Sequence, residues 1–341
     1  MNYSDIINKN KNELPAERKW WAKFAFHYTD ITNALSIIQS ETLYSRLYAQ
    51  RGHLMVNDNA SYQVIDMTDS SVQSYVRFYF RPLTPTQYYN EGYKHPKLRY
   101  DSDPNANVPV PVFFAFNLEK LLRDPAVRFS QFSQAGYGDE TYSGVEDFAS
   151  LPFDKIYSDG FVEDDVRKYR HAELLYPKEY PIMQSLEAIL CRNEFEQSML
   201  LSLLRKNNEK LFYKYKSYIK VCRENMFEKN GLFLQNMRLD NNKFSITFSD
   251  TYQKKKYVER MMQKNGIESL APVKMCFSFE WKNSKQTILE NKSVEIDCDY
   301  QKTERIVFNV SPIERAMTLT VIVRCFRDLI GYKEFILTDI F

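Results

Sequence analysis

Hydrophobic and polar positions give the chain two textures. Up to about residue 180, short apolar runs stand among polar and proline-rich stretches. Residues 5–20 read as a short polar helix. WAKFAFHYT (21–29) reads as a buried strand. In TNALSIIQSETLYSR (32–46), Ala34, Leu35 and Ile38 approximate an i, i+3/i+4 stripe, which predicts a helix over 32–40 with Thr32 as its N-cap. YVRFYFRP (75–82) alternates aromatic and basic residues until Pro82, the pattern of a strand with two unlike faces. PVFFAFNLEKLL (111–122) predicts a second buried strand running into a short helix, and KYRHAELLYP (168–177) a third strand. Residues 47–72, 83–110 and 133–144 lack a period and read as loops.

After this the pattern changes. Residues 181–229 hold long stretches with apolar positions at helical spacing. From 243 onward the period is mostly two: KFSITF, VKMCFSFEW, KSVEIDCDY, RIVFNV, LTVIVRCF and KEFILTDIF, interrupted by one helix over 252–264. Short strands at fairly regular spacing predict an antiparallel sandwich. The expected organisation is a first domain over 1–180, a helical segment over 181–235 and a β-rich accessory domain over 236–341.

Composition then narrows the chemistry. The 341 residues include only 9 glycines, with no G-x-G-x-x-G and no G-x-x-x-x-G-K-S/T, so nucleotide sites built on glycine-rich phosphate loops are excluded. A net charge of +2 argues against a uniformly basic coat for duplex nucleic acid. Cys191, Cys222, Cys276, Cys298 and Cys325 are scattered and odd in number, and His27, His53, His95 and His171 form no H-x-x-x-H pair. Disulfide frameworks and metal sites are therefore not expected. The N-terminus lacks the apolar core of a signal peptide and no apolar run is long enough to span a bilayer, so the expected compartment is the cytoplasm.

Three segments look like parts of one site: HYTDITNALSII (27–38), YVRFYFRPLTPTQYY (75–89) and RHAELLYP (170–177). Here the sequence resembles the DarT family, toxins that ADP-ribosylate bases in DNA using NAD. The family's early H-x-T, its N-x-x-x-I-L and its leucine-serine-arginine turn are matched by His27, Thr29, Asn33, Ile37, Ile38 and Leu43-Tyr44-Ser45-Arg46. Its central V-P-F-Y-F-x-P-R-S-P-M-x-Y is matched in outline from Val76 to Tyr88, with Leu83 where the family has arginine and Arg81 two residues earlier. Its late A-E-x-L-V is matched by Ala172-Glu173-Leu174-Leu175-Tyr176. The resemblance covers about residues 20–180.

It implies an α+β, diphtheria-toxin-like ADP-ribosyltransferase fold whose two packed sheets form an NAD cleft. NAD is then a co-substrate and no metal is needed. The resemblance makes Glu173 the catalytic carboxylate, since cleaving a ribosyl bond builds oxocarbenium character that a carboxylate stabilises, and that carboxylate also accepts a proton from the attacking base. His27 would orient the ribose and Thr29 the nicotinamide amide. Tyr79 would stack on the nicotinamide, and Arg77 or Arg81 would meet the diphosphate as a planar cation. Asn33 and Arg46 complete the cofactor set. Without the resemblance these are plainer residues: an acid in an apolar strand, a hydrogen-bonded histidine at a strand end, and core aromatics.

RKNNEKLFYKYKSYIKVCR (205–223) interleaves cations with aromatics, the mixture that single-stranded nucleic acid needs, with Lys214, Lys216 and Lys220 as phosphate contacts. The plainer reading is a helix with an aromatic core face and a solvated lysine face. Lys254-Lys255-Lys256 reads as solvated surface. The expected function is mono-ADP-ribosyl transfer to a base in single-stranded nucleic acid, with DNA ahead of RNA. The expected setting is a toxin–antitoxin or phage-defence system, with an antitoxin or a chaperone as partner. A protein-directed transferase and an inactive binding module are the alternatives.

Overall fold

The computed structural model describes residues 2–52, 71–103, 105–135, 140–240, 242–302 and 305–337. Part of the 47–72 segment, the tip of the 133–144 loop and the last four residues lie outside that range. The chain divides into two compact units. The first is Met1–Tyr89, Pro111–Cys191 and Tyr213–Phe227; the second is Asn90–Val110, Arg192–Phe212 and Glu228–Phe341. The chain thus passes between the two units several times.

The first unit is built on β1 (Phe24–Asp30), β2 (Thr42–Tyr44), β3 (Tyr75–Tyr79), β4 (Pro111–Asn117), β5 (Arg128–Ser130), β6 (Glu173–Pro177), β7 (Glu179–Pro181), β8 (Leu186–Cys191) and β9 (Ile219–Val221). Seven of these form one sheet in the order β5-β6-β3-β1-β4-β8-β9, while β2 and β7 pair separately. All pairings in the large sheet are antiparallel except β8 with β9. β4 sits near the middle and is apolar along almost its whole length, because both of its faces are covered. Its Phe113, Phe114 and Phe116 are buried. Helix α1 (Tyr3–Glu13) opens the chain with a capping box between Asn2 and Asp5.

Helix α2 (Ile31–Ser40) follows β1 directly. Its cap is Asp30, whose carboxylate accepts from the Thr32 amide at 3.0 Å and from the Thr32 hydroxyl at 2.7 Å. The expected cap, Thr32, is instead a donor inside the first turn. Helix α3 (Arg46–Arg51) is capped by Ser45. The 83–110 stretch, read as irregular, contains a helix over Pro85–Asn90. Thr84 accepts there from the Gln87 amide at 3.2 Å, and Pro85 occupies a first-turn position where its missing N–H costs nothing.

The second unit packs β10 (Leu234–Asp240), β11 (Lys243–Phe248) and β14 (Ile306–Asn309) as one antiparallel sheet. The other sheet, in the order β13-β12-β15-β16, holds β12 (Val273–Lys282), β13 (Ile288–Cys298), β15 (Thr318–Cys325) and β16 (Asp328–Ile336). Phe244 of the first sheet meets Phe279 of the second at 5.4 Å between ring centroids, and Phe308 meets Phe277 at 4.8 Å. The period-two run after residue 243 therefore forms two facing sheets. Helix α4 (Glu194–Asn207) packs in this unit; α5 (Glu209–Tyr215) follows it, and α6 (Tyr252–Asn265) ends at Gly266 in the left-handed region. Gly92 (φ +75°) and Gly231 are indispensable: a Cβ on Gly231 would stand 2.6 Å from the Glu91 carbonyl oxygen.

Among the described residues no helix is long and apolar enough to cross a membrane, and no group of His, Cys, Asp and Glu side chains could hold a metal ion.

Candidate active site

The sequence places Glu173 at the first position of β6, inside an apolar run. Register carries it to a definite neighbourhood. Glu173 pairs with Tyr79 of β3 and with Ser130 of β5, and Tyr79 pairs with Phe26 of β1, so the four side chains share one face of the sheet. Two residues before Tyr79, Arg77 points to the same face. Its guanidinium grips the buried Glu173 carboxylate in two-pronged fashion, Nε donating to Oε2 at 2.7 Å and Nη2 to Oε1. Such a fork fixes both distance and plane of the carboxylate.

Ser133 completes the arrangement. Its hydroxyl donates to Glu173 Oε1 at 3.3 Å and accepts from Arg77 Nη2 at 3.4 Å and from the Ala135 amide at 3.1 Å. Burial disfavours charge on Arg77, but the facing Glu173 carboxylate more than compensates and holds its pKa above the ordinary arginine value. Burial also pushes the Tyr79 phenol up to about 12, with Arg77 opposing and Glu173 adding to the shift. Tyr79 is thus a neutral aromatic platform beside an ion pair.

His27 stands differently. It follows Phe26, so it projects from the opposite face, across from Phe114 in register, with its ring 6.4 Å from Phe114 and 6.5 Å from Phe78. β1 and β3 are in register at Phe26 and Tyr79, and His27 sits where the two strands part. Its Nδ1–H donates to the Arg77 carbonyl at 3.0 Å. Burial lowers the His27 pKa despite that bond, so the ring is neutral and its Nε2 is an acceptor. His27 is therefore connected to Glu173 through Arg77 and does not share its face.

The remaining expected residues are spread around this fork. Thr29 is buried near the end of β1, Asn33 is half-buried on α2, and Arg46 is half-buried at the start of α3. Arg81 is interior. Its Nε donates to the Pro82 carbonyl at 2.9 Å, its Nη1 to the carbonyls of Ile156 and Ser158, and its guanidinium carbon lies 5.1 Å from the Trp21 ring centroid. The strand alternation that would have let Arg81 replace the arginine missing at Leu83 ends at Tyr79. Leu83 itself takes a left-handed turn at φ +58°.

Two residues near Glu173 escaped the sequence. Ser133 lies in a segment whose composition announces only a loop. His171, two residues before Glu173, is pushed down to about 4 by burial and by the charges of Arg77 and Arg81. In the sequence it stands out only as one of four scattered histidines.

The basic run after residue 205 is not one helical face. Lys214 at the end of α5 pairs with Glu41, which also accepts from the Tyr215 hydroxyl at 2.6 Å. Lys216 lies 4.9 Å from the Tyr213 ring centroid, and Lys220 is exposed on β9.

A family model described as "ssDNA thymidine ADP-ribosyltransferase, DarT" matches residues 26–221. Thermus sp. 2.9 DarT in complex with carba-NAD+ is similar at 14% identity and TM-score 0.46, over 63% of this chain and 100% of that one. The same protein in complex with ADP-ribosylated ssDNA is similar at 14% identity and TM-score 0.46, over 60% and 96%. Thermosipho africanus DarTG in complex with ADP-ribose is similar at 13% identity and TM-score 0.43, over 55% and 48%. No curated protein matches the chain.

Proposed function

The chain belongs to the DarT family of ssDNA thymidine ADP-ribosyltransferases, and on that premise we propose that it moves one ADP-ribose unit from NAD to a thymidine base of single-stranded DNA. The fold is read as the diphtheria-toxin-like transferase fold, with the NAD cleft at the fork between β1 and β3. The observation that carries the proposal is the buried Glu173 carboxylate, clamped by an arginine whose side chain stays 25% exposed. A fixed carboxylate beside an open edge is what a reaction that builds positive charge on a sugar carbon requires.

Each residue then has a task. Glu173 stabilises the charge growing on the ribose as the nicotinamide bond breaks, and takes the proton that the attacking base releases. Arg77 holds the carboxylate in place before and during that change. Tyr79, on the same face, stacks on the nicotinamide ring. His27 offers Nε2 to a ribose hydroxyl while its other nitrogen is tied to the Arg77 carbonyl. Thr29 meets the nicotinamide amide, and Asn33 and Arg46 line the cleft. Arg81 is spent on backbone carbonyls, so Arg46 takes the diphosphate role first shared between Arg77 and Arg81. Lys214, Lys216 and Lys220 are the nucleic-acid contacts of this unit. The family reading makes the protein a toxin of the bacterial cytoplasm, restrained by an antitoxin and used in phage defence.

Incubation with labelled NAD and separate pools of single-stranded DNA, RNA and protein tests the proposal. Label is expected in DNA and lost with Glu173→Ala, by at least about a thousandfold in rate, or ~4 kcal/mol of barrier. Label in protein or RNA alone, or full transfer by the Glu173→Ala protein, overturns it.

A further inference from the structure

Helix α6 of the second unit carries a second feature with the chemistry of a nucleic-acid contact. The sequence run Lys254-Lys255-Lys256 does not act as one patch. Helical periodicity turns Lys254 inward with Tyr257, Val258 and Met261, and Lys255 pairs with Asp250 at 3.0 Å. Among the exposed residues of the helix, Tyr252, Lys256, Arg260 and Lys264 follow one another at four-residue spacing. Residues so spaced are neighbours along one side of a helix, and this row spans about 18 Å. Tyr252 is 65% exposed, and Lys256 lies 4.6 Å from its ring centroid. Glu259 is the acidic residue on the exposed side of the helix.

The row does not end in open solvent. At the C-terminal end of α6, Lys264 enters the wall of a cleft of about 780 Å³ that also includes Lys97, Arg99 and Tyr100. The cleft is a built feature of this unit. Asn265 donates to the Lys97 carbonyl at 3.2 Å and Tyr257 to the Leu98 carbonyl at 3.0 Å, tying the helix to the 96–98 turn. Asp101 and Glu268 are its acids; they are acceptors suited to exocyclic amino groups of bases. A cation row flanked by an aromatic ring and leading into a polar cleft matches a flexible polyanion with stackable bases.

We propose that the Tyr252–Lys256–Arg260–Lys264 row and the adjoining cleft form an accessory binding surface for single-stranded nucleic acid in the second unit, separate from the Glu173 site. It rests on the reading of single-stranded DNA as the substrate. The surface holds the strand by its phosphates, with Tyr252 and Tyr100 as stacking platforms.

The test is strand affinity of the full chain without NAD, so that it does not depend on transfer. Anisotropy of a fluorescein-labelled mixed-sequence DNA single strand is read across a salt series. Lys256→Glu, Arg260→Glu and Lys264→Glu combined should weaken binding about tenfold or more and flatten the log–log salt slope by about 2, at roughly 0.7 per lost phosphate contact. The milder Lys256→Gln, Arg260→Gln and Lys264→Gln set should give the same sign with a smaller change. Parental affinity and slope in folded forms of both sets would overturn the inference. A chain that binds the strand through this row yet labels no DNA would sink the catalytic proposal and leave the accessory surface standing.

Discussion

Each unit contains an arginine clamped to a buried glutamate, and the two clamps differ in what surrounds them. In the second unit, Arg192 has no exposed side-chain surface. Its Nε donates to Glu196 Oε1 at 3.2 Å, its Nη1 to Glu91 at 3.4 Å and its Nη2 to the Pro109 carbonyl at 3.3 Å, while the Phe233 ring covers it at 3.7 Å. Glu91 in turn accepts the Glu228 and Lys229 amides at 2.7 and 2.9 Å. This is a knot that ties four chain segments together. In the first unit, the Arg77–Glu173 clamp keeps a quarter of the arginine side chain in contact with solvent. Its neighbours are a serine, a high-pKa tyrosine and a low-pKa histidine. The same residue pair is sealed inside the fold in one unit and left with an open edge in the other, and the proposed function makes only the open one part of the chemistry.

The comparison breaks first at the sealed clamp. Arg192→Met should cost about 3–5 kcal/mol of stability, because Glu91 and Glu196 are left as buried charges without their cation. Denaturant unfolding should show the loss, and an Arg192→Met protein as stable as the parent would remove the structural role. The open clamp should respond in the other currency. Arg77→Lys keeps the charge but loses the fork, and transfer should fall about a hundredfold, ~2.7 kcal/mol, with the thermal midpoint within a few degrees of the parent. Transfer at the parental rate would mean that carboxylate orientation is not set by Arg77.

Acid should act on the first unit through His171. His171 is held at about 4 in the folded chain, against about 6.5 when unfolded. Where the folded pKa is depressed, the unfolded chain binds the proton first. Stability is therefore lost as pH falls from about 6.5 towards 4. Between pH 6.5 and 5 the loss from this group is at most about 2 kcal/mol. His171→Gln removes the titrating group, so its urea midpoint should decline less over that range. Equal declines in both proteins would place the acid sensitivity elsewhere.

These elements were legible in the sequence to different depths. The strands β1, β3 and β4, the helix α2 and the strands after residue 243 follow local periods of two or 3.6, and local periods are written in the chain. The partner of a strand is not. Residues 181–235 read as a helical segment, yet Leu186–Cys191 and Ile219–Val221 are the strands β8 and β9, and their parallel pairing across the long excursion through α4 and α5 leaves no local trace. For the same reason the return of 90–110 and 192–212 to the second unit is invisible to a scan for boundaries. At the site, motif order brought out Glu173, Arg77, Tyr79 and His27, yet only register shows that His27 projects from the other face. Arg81 reads like Arg77 because the alternation of aromatic and basic residues runs on to Pro82, while the strand stops at Tyr79. Lys254 looked like surface because a charge run hides which of its members the helix turns inward.

Ser133 is the residue that no pattern announced, and it gives the smallest and sharpest test of the open clamp. Its hydroxyl touches both partners, at 3.3 Å from Glu173 and 3.4 Å from Arg77. Both contacts are long for hydrogen bonds, so each contributes at the weak end of the usual range. Ser133→Ala should therefore slow transfer about fivefold, ~1 kcal/mol, without changing NAD affinity, because the carboxylate is still forked by Arg77 but is less firmly held. Ser133→Thr, which restores the hydroxyl, should recover most of the rate. A structural role alone would lower stability in the alanine form and leave kcat untouched. A rate deficit that threonine repairs would mark Ser133 as part of the device that aims Glu173, and so extend the contrast with Arg192, whose every partner only holds the fold.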